Sequence, residues 1–249
     1  MRASLPMYLT PQTAAATDRL WQGIRSAMAQ HGLESPKTLD PNGIGYDYWT
    51  APDLIFSQTC GMPYRTRLHG QVVLIGTPDH GAAGCPKGFY RSVVVKRRDD
   101  PRKSTDNARV AYNGADSQSG FAALANSLGP DVSKTGRWIE TGAHRNSAIA
   151  VAQGHADIAA LDCVTWALLQ DDPEYVDELS VLFETDPTPG LPYICANSQD
   201  PKPVFQAVRT AIVSLSQADK DTLQLYDLID IPASEYLRVP TPSPMVLSH

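Results

Sequence analysis

Short apolar segments alternate with amphipathic segments along most of the chain, and this alternation restricts the fold more than any other feature of the sequence. Runs rich in Val, Ile, Leu and Ala occupy residues 72–75, 90–96, 109–112 and 156–161. Elsewhere, residues 16–31 and 121–128 repeat apolar side chains every three or four positions, as one face of a helix does. Strands that alternate with helices predict an α/β fold.

The composition argues against two classes of partner. The 249 residues carry a formal net charge of −6 at pH 7, whereas broad nucleic-acid binding usually needs a basic face. The most apolar stretch, residues 158–169, is too short to span a bilayer, so we expect neither a nucleic-acid partner nor direct membrane insertion. Pro6, Tyr8 and Pro11 interrupt any apolar run at the N-terminus. The sequence therefore shows no secretory leader and by itself favours the cytoplasm.

Two strand–loop–helix junctions carry side chains that can hold an oxyanion. One is Ser117-Gln118-Ser119-Gly120, and the other begins at Thr141 and includes His144. The first N–H groups of a helix lack intrahelical partners and carry partial positive charge, so both junctions can bind a phosphate-like group. The alternative is ordinary helix capping, for which Ser and Thr are favoured at any helix start.

Three further residues are candidates because of their place at strand ends. Asp162 follows the strand predicted at 156–161, at the edge where open α/β sheets bind ligands. Its carboxylate can pair with a ligand ammonium, accept from a hydroxyl, or cap a helix that starts near Val164. Tyr8, at the end of a strand predicted over residues 3–8, and Tyr90 can form an aromatic wall, or they pack in the core.

The four cysteines leave two readings open. Cys60 and Cys85 flank a Gly-rich segment, and a disulfide between them would imply an oxidising compartment. Alternatively, Cys60 at a helix start is a nucleophile with His69 or His80 as its base. The chain has no CxxC spacing, no phosphate-binding glycine motif and no clustered histidines, so neither a metal nor a cofactor is expected.

Taken together, these segments resemble the substrate-binding component of phosphate, phosphite and phosphonate ABC transporters. The resemblance is carried by 111–113 and 117–121, by 141–147, by 151–162 and by 187–192, with weaker support from 58–63, 84–85 and 90–92. It implies a two-lobed fold like that of the type II periplasmic binding proteins, with mixed, mostly parallel sheets. Two crossing strands, residues 90–96 and 193–196, would form the hinge. The first lobe would comprise residues 1–96 and 188–249, and the second residues 97–187.

The resemblance also implies a function and a set of site residues. A small phosphate or phosphonate would bind between the lobes without catalysis, and an ABC permease and a periplasmic location would follow. The implied ligand-binding residues are Tyr8, Thr59, Tyr90, Ser117, Gln118, Ser119, His144 and Asp162. The alternative is a cytosolic ligand sensor, or an enzyme similar to pyrimidine synthases in which Cys60 or His144 is catalytic.

Overall fold

The polypeptide passes three times between two units. The structure, a computed structural model, describes residues 1–170 and 173–243. Unit 1 comprises residues 1–89 and 189–238, and unit 2 comprises residues 90–188 together with the described residues from Val239 onward. The chain therefore crosses between the units after Phe89, after Thr188 and after Arg238. Within the described ranges, no helix has both the length and the apolar character that crossing a membrane requires.

Unit 1 is built around a five-stranded sheet. Its strands are β1 (Arg2–Ala3), β2 (Leu54–Gln58), β3 (Val72–Asp79), β11 (Tyr193–Ala196) and β12 (Asp227–Ile229). Their order in the sheet is β1-β2-β11-β3-β12. Its helices are α1 (Ala14–Gln30), α2 (Tyr46–Trp49), α3 (Gly61–Pro63), which continues as a π-helix (Tyr64–Leu68), α8 (Pro201–Ser214), α9 (Gln217–Leu223) and α10 (Ala233–Leu237).

Helices α1 and α8 pack together on this sheet. Ile24 and Met28 of α1 and Val208 of α8 are fully buried in one apolar cluster, which follows from the helical spacing of apolar residues in both segments. Gly23 lets the helices approach closely, because a Cβ atom there would lie 3.3 Å from Cβ of Ala211. The two ends of unit 1 in the sequence thus share one core.

Unit 2 is built around a second five-stranded sheet. Its strands are β5 (Ser92–Arg97), β6 (Val110–Tyr112), β7 (Trp138–Glu140), β8 (Ile158–Asp162) and β9 (Leu179–Glu184), in the order β7-β6-β8-β5-β9. Its helices are a π-helix (Gln118–Ala122) that runs into α4 (Ala123–Leu128), a 3-10 helix (Gly129–Lys134), α5 (His144–Ala152), α6 (Cys163–Leu169) and α7 (Pro173–Val176). Two short strands at the chain crossings, β4 (Phe89–Tyr90) and β10 (Thr188–Pro189), form a two-stranded sheet.

The α/β class with mixed sheets is confirmed, but the sheets are not mostly parallel. In the two five-stranded sheets, only β1–β2, β6–β7 and β6–β8 pair in parallel. The other five pairs, which involve β11, β12, β5 and β9, are antiparallel. The physical reason is that β11 inserts between β2 and β3, and β5 pairs with both β8 and β9. Each of these strands therefore adds two antiparallel contacts to its sheet.

The two predicted crossing strands, residues 90–96 and 193–196, each pair within one unit, and their role as a hinge stays a prediction. Residues 90–96 belong to unit 2, because β5 pairs along its length with β8 and β9. Residues 193–196 belong to unit 1, where β11 pairs with β2 and β3. The crossing after Phe89 lies several residues before the lobe boundary predicted after residue 96. The crossing after Thr188 lies next to the boundary predicted after residue 187.

Candidate functional site

The first junction of unit 2 begins with a capped helix start. Ser117 is the N-cap of the π-helix, and its hydroxyl accepts a hydrogen bond from the amide of Gly120 at 2.9 Å. Gln118 and Ser119 are also buried, with 1% and 3% of their surface exposed. Ser117 is therefore a helix cap, whereas the hydroxyl of Ser119 makes a different contact.

The second junction leads into α5, whose N-cap residue, Ala143, has no side chain that can accept a hydrogen bond. Thr141 does not act as the cap: its Oγ1 donates to the carbonyl oxygen of Tyr112 at 3.0 Å and lies 2.6 Å from Oγ of Ser147. These contacts hold the loop against the end of β6. The N-terminus of α5 therefore has no capping side chain at Ala143, and a ligand oxygen is favoured at such a helix end.

A contact between Ser119 and His144 joins the two junctions. Oγ of Ser119 lies 2.9 Å from Nε2 of His144. Burial lowers the pKa of His144 to about 4, although the nearby carbonyl of Ala160 favours the protonated ring. The imidazole is therefore neutral at pH 7, and its Nδ1 is buried without a hydrogen-bond partner in the described part of the chain.

Asn113 is a member of this arrangement that the sequence analysis did not single out. A Cβ atom at Gly120 would overlap Oδ1 of Asn113 and would lie 3.1 Å from Cε1 of His144. Glycine at position 120 therefore lets both side chains approach the helix start. The signal in the sequence was the position of Asn113 directly after the strand at 109–112, within a segment already quoted for the family resemblance.

Asp162 caps α6, which was the alternative reading of this residue. It ends β8, is 2% exposed, and its Oδ1 accepts from the amides of Val164 at 2.7 Å and Thr165 at 3.2 Å. In the β5–β8 ladder it lies opposite Ser92, whose hydroxyl donates to the carbonyl of Ser119 at 2.9 Å. Asp162 thus borders the first junction, and its contact with a ligand stays a prediction.

The remaining predicted site residues are divided between the units. Tyr90 is buried in unit 2. Tyr8 and Thr59 belong to unit 1. Tyr8 does not end a strand, because β1 stops at Ala3. It lies in the following turn, with its ring edge-on to His80 at a centroid distance of 5.1 Å. Thr59 is fully buried, and its Oγ1 has no hydrogen-bond partner in the described ranges.

Cys60 and Cys85 both lie in unit 1. Cys60 directly precedes α3, and the amide of Cys85 donates to the carbonyl of Ala82 in a turn. Both residues are described, and the structure does not join them by a disulfide. Their pairing under oxidising conditions and the nucleophilic role of Cys60 stay predictions.

Solved structures with this fold include several binding proteins. PhnD1 of Prochlorococcus marinus, in complex with methylphosphonate, is 14% identical with a TM-score of 0.70, over 95% of this chain and 94% of that chain. A binding protein component of an ABC phosphonate transporter from Pseudomonas aeruginosa is 14% identical with a TM-score of 0.64, over 99% and 82%. XAC2383 of Xanthomonas citri, bound to ATP, is 16% identical with a TM-score of 0.65, over 91% of each chain. At these identities the likeness establishes the fold.

The family follows from the sequence itself. No curated protein matches the chain. A family model described as the periplasmic substrate-binding protein of phosphonate ABC transporters matches residues 54–233, which is more than two thirds of the chain. The match includes both junctions and the contact between Ser119 and His144. The chain belongs to the family of phosphonate-binding periplasmic components of ABC transporters.

Proposed function

We propose that this protein binds a small phosphorus oxyanion or organophosphonate without converting it, as the solute-binding component of an uptake system. The family supplies the class of ligand. The observation that carries the proposal is the contact between Ser119 and His144, because it brings two helix starts of unit 2 to one place. The position of the ligand between two lobes stays a prediction of the resemblance.

The proposed site offers hydrogen-bond donors to an anion. When neutral His144 carries its proton on Nε2, it donates to Oγ of Ser119, and the Ser119 hydroxyl proton is then available for a ligand oxygen. The first amides of α5 add further donors, together with the partial positive charge of the helix end. A fully ionised phosphonate offers acceptors alone, so its chemistry complements this set of donors.

Isothermal titration calorimetry with methylphosphonate, phosphate, phosphite and sulfate tests the proposal. We expect Ser119→Ala and His144→Asn each to weaken phosphonate binding by about tenfold or more, because each removes a hydrogen bond to or behind the anion. Ser133→Ala and His155→Asn are matched controls, since both residues are exposed in unit 2. A wild-type protein that binds none of these anions would contradict the proposed ligand class.

Phosphorus NMR of the bound ligand separates binding from catalysis. We expect an unchanged spectrum after prolonged incubation with stoichiometric protein. A product signal that disappears in Cys60→Ala or His144→Asn would instead support the enzyme alternative. The permease partner, a property of the family, is tested by phosphonate uptake in a strain that lacks this protein. The periplasmic location, also a property of the family, is tested by fractionation of cells that produce it.

A further inference from the structure

The side-chain amide of Asn113 has a defined orientation. Asn113 directly follows β6, and its Oδ1 occupies the place that a side chain at Gly120 would take, because a Cβ atom there would overlap Oδ1 and lie 2.9 Å from Cγ. The same Cβ position lies 3.1 Å from Cε1 of His144. A Cα–H group of Gly120 therefore faces Oδ1, and such a neighbour favours a carbonyl oxygen over an N–H donor.

The two polar atoms of this amide differ in their surroundings. Oδ1 is buried and accepts no hydrogen bond from the described residues. Nδ2 donates to none of them either, but unlike Oδ1 it is accessible to solvent, since Asn113 as a whole is half-buried. The amide therefore turns its acceptor into the protein and leaves its two N–H donors available to a group from outside the chain.

Asn113 lies where the two junctions of unit 2 meet. Gly120, over which its amide packs, belongs to the first junction, and His144 begins α5 in the second. The contact between Ser119 and His144 joins the same two segments. The proposed site already offers a hydroxyl and backbone amides, and Asn113 adds a side-chain amide from a third element, the end of β6. All these donors are uncharged, so a carboxylate in this place would repel an anion and offer it no proton.

We propose that Asn113 is a ligand-binding residue whose Nδ2 donates a hydrogen bond to an oxygen of the bound oxyanion. The inference deepens the proposed function and rests on it, because the ligand is the same phosphonate or phosphate. Removal of the amide deletes one hydrogen bond to a charged oxygen. A carboxylate of the same shape costs more, because it exchanges both N–H donors for an acceptor and places a negative charge beside the anion.

Calorimetric titration with methylphosphonate at pH 7 tests this role through the order of two variants. We expect Asn113→Ala to weaken binding about tenfold, and Asn113→Asp, which keeps the shape and Oδ1, to weaken it about a hundredfold. If Asn113 only packs over Gly120, the order is reversed, because Asn113→Asp preserves that packing and Asn113→Ala does not. Asn126→Asp is the matched control: it makes the same chemical change in a half-buried residue of α4 and should bind as wild type does.

The outcomes separate the role of Asn113 from the function. If wild type binds methylphosphonate and Asn113→Asp binds it more tightly than Asn113→Ala does, the role is wrong and the proposed function stands. If wild type binds none of the oxyanions, the proposed function fails and this role fails with it. NMR of wild type needs no variant to fold: the Nδ2 protons of Asn113 should shift with methylphosphonate, whereas those of Asn126 should not. Unchanged Asn113 signals in the saturated protein would overturn the inference.

Discussion

At the scale of single residues, the chemistry of this chain depends on two histidines that are neutral for the same reason. His80 in unit 1 and His144 in unit 2 both have a pKa of about 4, and burial is the largest cause for each. A neutral imidazole has one donor nitrogen and one acceptor nitrogen, so each ring can donate one hydrogen bond and accept one. In His80 the carbonyl oxygen of Gln224 requires the proton on Nδ1, which leaves Nε2 as the acceptor.

The low pKa of His80 makes the stability of the fold depend on pH. In the unfolded chain its pKa is 6.5, so between pH 6.5 and about 4 the unfolded state binds a proton that the folded state does not. Stability is therefore complete above pH 6.5 and falls as the pH drops toward 4, by on the order of 3 kcal/mol from this group. Urea unfolding at pH 7 and pH 4.5 should show a smaller loss in His80→Gln than in wild type.

The exposed His155 provides the control for this measurement. His155→Gln should lose as much stability as wild type between the two pH values, because it leaves both buried rings in place. His144 contributes in the same direction, so His80→Gln should reduce the loss without removing it. Equal losses in wild type and His80→Gln would show that His80 does not stay neutral in the folded protein.

Local sequence points to candidate residues of an anion site, whereas it suggests His80 only as a base for Cys60 and gives no sign of its buried, neutral state. The junctions that contain Ser117, Ser119 and His144 can be recognised from the sequence as helix starts, because helix capping and anion binding use the same residue types. The neutral state of His80 depends on its burial, and its tautomer on the carbonyl of Gln224, 144 positions away; its neighbours around one cavity include Leu5 and Leu225. Such long-range contacts leave no mark in a local sequence pattern.

At the scale of elements, variants of Asp162 separate its role as the cap of α6 from a contact with the ligand. Its Oδ1 accepts from the amides of Val164 and Thr165 at the start of α6. Asparagine keeps that acceptor, so Asp162→Asn should unfold within a few tenths of a kcal/mol of wild type, whereas Asp162→Ala should lose about 1 kcal/mol. Chemical denaturation of the three proteins at pH 7 measures both differences.

Calorimetry on the same variants tests the predicted contact of Asp162 with a ligand. Because the carboxylate caps α6, we expect Asp162→Asn to bind aminoethylphosphonate as wild type does. A loss of affinity for aminoethylphosphonate with unchanged affinity for ethylphosphonate would instead assign Asp162 to the ammonium group of the ligand, as the family resemblance implies.

A helix or a strand could be predicted from the sequence where one apolar face or one apolar run defines it. The direction of a strand could not. The strands at 72–75 and 109–112 follow from short apolar runs, and the structure places β3 and β6 there. The direction of a strand depends on which neighbours it pairs with. The family resemblance implied mostly parallel sheets, but β11 pairs with both β2 and β3, which are distant from it in sequence, and runs antiparallel to both.

At the scale of the whole molecule, the two units differ in how the chain builds them. Unit 1 needs both ends of the chain, because β11 lies between β2 and β3 and α8 packs on α1. Unit 2 completes its five-stranded sheet within residues 90–188 and has an apolar cluster of its own, which includes Val93, Ala159 and Leu161. One unit is therefore continuous in sequence apart from the C-terminal segment, and the other is not.

This difference predicts that a fragment of residues 90–188 folds alone, whereas a fragment of residues 1–89 does not. The first retains its whole five-stranded sheet. It loses the short pairing of β4 with β10 and contacts of the C-terminal segment, among them an exposed hydrogen bond from Nδ2 of Asn126 to the carbonyl of Pro240. The second lacks β11, so β2 and β3 have no strand between them and α1 has no α8 to cover its apolar face. We expect dispersed amide NMR signals and cooperative urea unfolding from 90–188, and poorly dispersed amide signals from 1–89.

A disordered 90–188 fragment would mean that unit 2 depends on the rest of the chain. A folded fragment whose signals at Ser119 and His144 move with methylphosphonate would place the anion-binding residues in unit 2 alone.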